Sequence, residues 1–220
     1  MKNHLKRIAA PRTWILSRKS EKFTLRPNPG AHKLENGMPI GTILRDKIGL
    51  TKTMAEAQKL LNNNEVLVDG KRRTDRRVIV GLFDVISIPS IKKSYVIGMD
   101  DKGRLVVNEA DEKQSQTKIC KVIGKTIIRG GKIQLNLYDG KNIIVDKNDV
   151  KVGDSVEIEF ASLSIKKIFP LKVGSFIFLT KGKHAGTSGK LNKLEGAVAH
   201  YTTTEGVEIE TTRNYLYVTG

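Results

Sequence analysis

The chain has 220 residues and carries 39 Lys+Arg against 23 Asp+Glu, a formal net charge of +16. With 39% hydrophobic and 28% charged residues it is not an acidic disordered chain, and no apolar run approaches the ~18 residues that cross a bilayer. So large a cationic excess calls for a polyanionic partner, with nucleic acid ahead of an anionic membrane surface.

Along the chain, residues 1–36 read as a basic N-terminal arm. Pro11, Pro27, Pro29 and Gly30 interrupt any long helix. Lys2, Arg7, Arg12, Arg18 and Lys19 are interspersed with Leu5, Ile8, Trp14 and Phe23. A solvated tail is one reading. The large apolar residues favour the other, an arm that orders on RNA with Trp14 as a stacking platform.

Residues 37–94 read as a small helix-helix-hairpin domain. Ile40, Ile43, Leu44 and Ile48 fall on one helical face, with Pro39 near its start and Gly49 after its end. A second helix opens with the Thr53/Glu56 capping box and buries Met54, Ala57, Leu60 and Leu61. Its N-terminal dipole is expected to face a phosphate. The strand Glu65–Val68 then turns at Asp69-Gly70, residues that accept the positive φ of a type I′ turn. The return strand begins Lys71-Arg72-Arg73. Residues 83–88 form a further strand ended by Pro89.

From residue 95 onward the pattern is strands and turns. Residues 95–170 are expected to form a central small β-barrel or β-rich domain. In it Ile133, Leu135 and Leu137 alternate with Lys132, Gln134 and Asn136, and Val156, Ile158 and Phe160 alternate with Ser155, Glu157 and Glu159. Residues 118–124 and 126–129 read as two separate strands. Residues 171–220 form a last β unit around "TKGKHAGTSGKL" at 180–191. The fold class is therefore α+β, mostly β.

Charge is uneven along this plan. Residues 1–94 hold 20 Lys+Arg against 8 Asp+Glu, +12 of the total, which places the polyanion-facing surface in the arm and the first folded domain.

Several motifs resemble known families. The run "GMPIGTILRDKIGLTKTMAEAQKLLNNNEVLVDGKRRTD" is similar to the S-four-type RNA-binding domain. "TKGKHAGTSGKL" resembles the KOW motif, which implies a Src-homology-3-like barrel whose loop glycines, here Gly182, Gly186 and Gly189, lie against RNA backbone. Thr187 and Ser188 stand where that motif often has a basic residue. Together with "HLKRIAAPRTWILSRK" at the start, "KICKVIGKTIIRGGKIQLNLYDGKNIIV" in the middle and "IETTRNYLYVTG" at the end, the order of parts resembles the S-four-e family of small-subunit ribosomal proteins of archaea and eukaryotes. The resemblance covers essentially the whole chain. It implies a structural constituent of the small ribosomal subunit that binds ribosomal RNA, has neighbouring ribosomal proteins as partners, and supports translation. A non-ribosomal RNA-binding or elongation factor with a KOW module is the alternative.

Other chemistries find little support. Cys120, the only cysteine, sits in an apolar strand and reads as a buried small residue. The four histidines have no metal-ligand spacing, and 182–189 lacks the Gly-x-x-x-x-Gly-Lys-[Ser/Thr] of a phosphate loop. No catalytic residue, metal, cofactor, small-molecule substrate or membrane partner is expected. The N-terminus has no apolar signal segment, so a reduced, cytoplasmic location is expected. The expected phosphate contacts are Arg45, Lys47, Lys52, Lys71, Arg72 and Arg73 in the helix-hairpin domain, Arg7, Arg12, Arg18 and Lys19 in the arm, and Lys181 and Lys183 at the KOW loop.

Overall fold

The structure is a computed structural model and describes residues 4–111, 115–146 and 148–220; Lys2 of the expected arm lies outside these. The chain is mostly β and divides into two compact units. One comprises residues 1–98 and 104–118, the other residues 99–103 and 119–220.

In the first unit the N-terminal segment is folded. Strands β1 (Leu5–Lys6) and β2 (Phe23–Thr24) pair antiparallel. Leu105 N donates to Thr13 O at 2.8 Å. Trp14 is 2% exposed, and its indole N–H donates to Gly37 O at 2.8 Å. A buried Trp needs a partner for that N–H, and the backbone supplies it here. The arm that was expected to order only on RNA is already part of the fold, and Trp14 is no stacking platform.

β3 (Gly37–Pro39) pairs with β6 (Ile79–Gly81). Pro39 caps the short helix α1 (Ile40–Thr42), which widens into a π turn over Ile43–Lys47. Ile48 N donates back five residues to Ile43 O, and Gly49 takes φ +76° to leave the helix. Ile40, Ile43 and Leu44 are fully buried, as the helical spacing requires. Helix α2 (Met54–Asn63) buries Ala57 and Leu61 and has the full Thr53/Glu56 capping box.

β4 (Leu67–Val68) and β5 (Lys71–Arg72) form the hairpin, with Asp69 at φ 48° and Gly70 at φ 74°. β4 also pairs with β7 (Val85–Ile88), and β7 with β8 (Lys93–Met99). The sheet runs β5-β4-β7-β8-β9, where β9 is Leu105–Ala110. The boundary expected at 94/95 therefore falls inside one sheet. Pro89 ends strand β7 as expected, and the 3-10 turn Pro89–Ile91 with Lys92 at φ 51° reverses the chain into β8.

In the second unit β10 (Thr117–Ile127, its first two residues in the first unit) is one strand with a bulge between Val122 and Gly124. The two strands expected there are thus a single one. With β11 (Ile133–Leu137), β12 (Asn142–Val145), β13 (Ser155–Glu159) and β14 (Ile165–Phe169) it forms a sheet of order β12-β11-β10-β13-β14. Its core gathers Cys120, Val122, Leu135, Leu137, Val156 and Ile158.

β15 (Phe176–Leu179), β16 (Ser188–Glu195), β17 (Val198–Thr203), β18 (Glu208–Thr212) and β19 (Leu216–Val218) form a sheet of order β18-β17-β16-β15-β19 over Ile177, Leu191, Ala199 and Tyr201. The boundary expected at 170/171 is bridged within this unit. Leu171 N donates to Asp154 Oδ1 at 2.9 Å, and Tyr217 Oη donates to Ile119 O at 2.5 Å.

Candidate nucleic-acid interface

A groove of about 610 Å³ runs between the folded arm, the π turn and the loop before α2. It brings together Arg7, Arg45 and Lys52, which the sequence had proposed separately. The groove also holds Glu21 and Asp46, so its field is mixed.

Arg7 lies inside the arm. Its side chain is 6% exposed, donates to Ser17 O at 2.9 Å and Ser20 Oγ at 3.1 Å, and pairs with Glu21 at 3.3 Å. A guanidinium so enclosed ties the arm to itself. Arg45 grips Asp46 through two bonds of 2.9 and 3.0 Å. The hydrogen bond that Asp46 accepts outweighs burial and raises the Arg45 pKa above its ordinary value. Lys47 Nζ donates to Ile15 O at 3.0 Å, and Arg18 donates to Ile8 O and Ala10 O. These cations hold the arm in place.

The remaining cations have other surroundings. The side chains of Arg12, Lys19, Lys52 and Lys71 are on the exterior and make no hydrogen bond or ion pair among the described residues. Arg72 is exposed and donates once, to Asn62 O at 3.1 Å. This places a cation at the C-terminal end of α2, where the helix dipole favours it. Arg73 is half-buried, and its Nε finds no acceptor. The β4–β5 hairpin thus presents Lys71, Arg72 and Arg73 from one short strand and the residue after it.

The N-terminus of α2 is capped by the protein's own side chains. Glu56 Oε2 accepts from Lys52 N at 2.7 Å and from Thr53 N at 3.3 Å. These backbone bonds lower the Glu56 pKa. This is the capping box that the sequence predicts.

The hairpin is anchored from beneath by residues that sequence reasoning missed. Asp69 is 7% exposed; its Oδ1 accepts from Val85 N at 2.9 Å and its Oδ2 from Lys118 Nζ at 3.0 Å. Lys118 Nζ also bonds Asp84 Oδ1, and Asp84 Oδ2 meets His32 Nε2 at 2.9 Å. Burial alone would push the Asp84 carboxyl up. The Lys118 charge and the His32 hydrogen bond outweigh it and hold the carboxyl well below its ordinary range. No local pattern marks these residues: Asp69 reads as a turn residue, Asp84 falls inside the strand expected at 83–88, and Lys118 reads as a strand end.

The loop at 180–191 also differs from expectation. Gly186 has φ +97°, and a Cβ there would overlap the Asp100 carbonyl. Gly189 lies in β16, where a Cβ would overlap Thr202 O, and Gly182 at φ +96° packs against the Tyr215 ring. Gly186 and Gly189 admit the protein's own backbone. Lys181 is half-buried and Lys183 exposed, and neither has a hydrogen bond or ion pair among the described residues.

The arm does expose one aromatic. Phe23 is 45% exposed, with the His4 ring centroid 5.6 Å away and Lys22 Nζ 5.6 Å from its own. Among the described residues no group of His, Cys, Asp and Glu is arranged to hold a metal ion, and no helix is long and apolar enough to cross a membrane.

The chain is similar to known proteins. The family model described as "Ribosomal family S4e" matches residues 91–165, and that of the "RS4NT (NUC023) domain" matches residues 1–35. The small ribosomal subunit protein eS4 of Methanocella arvoryzae is 45% identical, covering 99% of this chain and 94% of its own length. That of Methanocaldococcus jannaschii is 38% identical over 100% and 94%. The crystal structure of the 30S ribosomal protein S4e from Thermoplasma acidophilum matches with a TM-score of 0.72 and 30% identity, covering 84% of this chain and 95% of that one.

Proposed function

The chain belongs to the ribosomal S4e family and is a structural constituent of the small ribosomal subunit; we propose that it is held there by ribosomal RNA on the cations that its own fold leaves unpaired. The observation that carries this reading is the sorting of the basic residues. Arg7 is spent inside the arm, and Arg18, Arg45 and Lys47 are partly so. Arg12, Lys19, Lys52, Lys71, Arg72 and Arg73, with Lys181 and Lys183 in the second unit, are left facing outward or without an acceptor.

Lys and Arg on phosphates position the protein, while choice among RNA sites comes from shape and unstacked bases. Phe23, flanked by His4 and Lys22, takes the stacking role that the sequence assigned to Trp14. The central and C-terminal sheets each curl into a small barrel, the latter Src-homology-3-like with the KOW loop at 180–191. Neighbouring ribosomal proteins meet the β-rich second unit, and the protein works in the cytoplasm.

The test is salt. Binding to small-subunit ribosomal RNA should weaken with a log–log slope of about −0.7 to −0.9 per phosphate neutralised. The triple variant K71A/R72A/R73A should weaken binding and flatten that slope by about two to three phosphates, with the melting temperature retained. A flat salt response in the parent protein would overturn the reading. An unchanged slope in the variant would remove the hairpin from it.

A further inference from the structure

The second unit contains a cleft of about 660 Å³ that no sequence motif marks. Sites for small organic ligands span roughly 300–1,000 Å³. The cleft forms where the middle of β10, the turn before β13, the β16–β17 turn and the chain just after β18 meet.

Its lining combines two chemistries. One wall is apolar and wet, with Ile123 54% and Val152 48% exposed. The other carries Lys121 and Arg213. Lys121 Nζ is fixed by donating to Asn214 O at 2.8 Å and Leu216 O at 2.7 Å. Burial, and after it the charge of Arg213, pushes the Lys121 ammonium down to about 8. The Arg213 side chain makes no hydrogen bond or ion pair among the described residues. Gly153 leaves room beside it, since a Cβ there would stand 3.9 Å from Nη2. Among the described residues no carboxylate lines the cleft.

Two cations that line one cleft without an anion repel, and a phosphate bound there turns that repulsion into attraction. A bare anion would leave the apolar wall in water. A planar base with a phosphate beside it answers both chemistries. We infer that this cleft takes one unstacked nucleotide of a single-stranded RNA segment, the base against Ile123 and Val152 and the phosphate on Arg213. The inference rests on the RNA-binding reading above and adds a contact that reading does not contain.

The experiment uses the full chain, labelled with nitrogen-15 and titrated with pentauridylate, with a base-free ribose-phosphate pentamer and with inorganic phosphate. The amides of Gly153, Gly196 and Asn214 should shift together and saturably with pentauridylate. The base-free pentamer should bind at those amides at least about tenfold more weakly. Arg213→Ala should weaken pentauridylate there by about tenfold, the loss of one charged hydrogen-bond partner, and Ile123→Ser should weaken it without changing the rest of the amide spectrum. Equal response to inorganic phosphate or to the base-free pentamer would overturn the nucleotide assignment, and so would unchanged affinity in Arg213→Ala. Shifts confined to first-unit amides such as Lys71 and Arg72 would remove the cleft and leave the RNA-binding reading standing. No shift in either unit would overturn both.

Discussion

Lys118 Nζ stands 3.0 Å from Asp69 Oδ2, with side chains only 2% and 7% exposed, across 49 residues of sequence. Asp69 is also the first residue of the β4–β5 turn, at φ 48°. One residue therefore shapes the hairpin tip and anchors it, and Asp84 and His32 complete the anchor. The exposed cations of β5 are oriented by a buried ion cluster of opposite design.

Buried ion pairs cost desolvation, and their removal is costly mainly because it strands the partner. Lys118→Met removes the ammonium that two buried carboxylates share and should lower stability by about 3–5 kcal/mol, read from the denaturant midpoint. Combining it with Asp69→Asn and Asp84→Asn should recover part of the loss. Since the folded Asp84 carboxyl lies below its ordinary value of 3.8, the stability it carries is present above that pH and is lost as pH falls further below it. A Lys118→Met protein with an unchanged midpoint would show that the cluster does not hold the hairpin.

The arm belongs to the folded unit. Arg7→Ala should reduce stability by about 2 kcal/mol, from hydrogen bonds made by a charged group, and leave the salt slope for RNA untouched. Trp14, the only tryptophan, provides the readout. Its fluorescence should resist acrylamide before RNA is added and should change little afterwards. Strong quenching in the free protein would mean that the arm is not docked.

Gly186 and Gly196 separate backbone freedom from close packing. Both have positive φ, +97° and +59°, but a Cβ at Gly196 meets nothing within 4 Å, whereas at Gly186 it meets the Asp100 carbonyl. Gly196→Ala should cost about 1 kcal/mol and Gly186→Ala at least about 2 more, as differences in thermal melting. Equal costs would mean that the loop moves aside and that Asp100 does not constrain it.

Lys121 gives a basic-side signature. Its folded value of about 8 lies below the ordinary 10.5. Between those two pH values the unfolded chain holds a proton that the folded chain has released, so stability rises with pH there. Neutral Lys121 keeps two N–H donors, matching its two carbonyl acceptors. The melting temperature of the parent relative to Lys121→Met should therefore climb from pH 8 to pH 10. A difference that is constant over this range would show that Lys121 titrates as an exposed lysine.

By itself the sequence determined the features whose partners lie a few residues away. The Thr53/Glu56 box, the Asp69-Gly70 turn and the alternation of Ile133, Leu135 and Leu137 were legible because their hydrogen bonds or shared face close within one turn or one strand. It also determined the sign and size of the charge. Only the tertiary structure decided which charges remain available. Arg7 and Lys71 are alike as letters, but one is enclosed by Ser17, Ser20 and Glu21 and the other faces solvent. Trp14 in the core, Lys118 beneath the hairpin and Gly186 against Asp100 follow the same rule. Each depends on a group 10 to 86 residues away in sequence, and desolvation and close contact are set by neighbours in space, which local spacing does not encode.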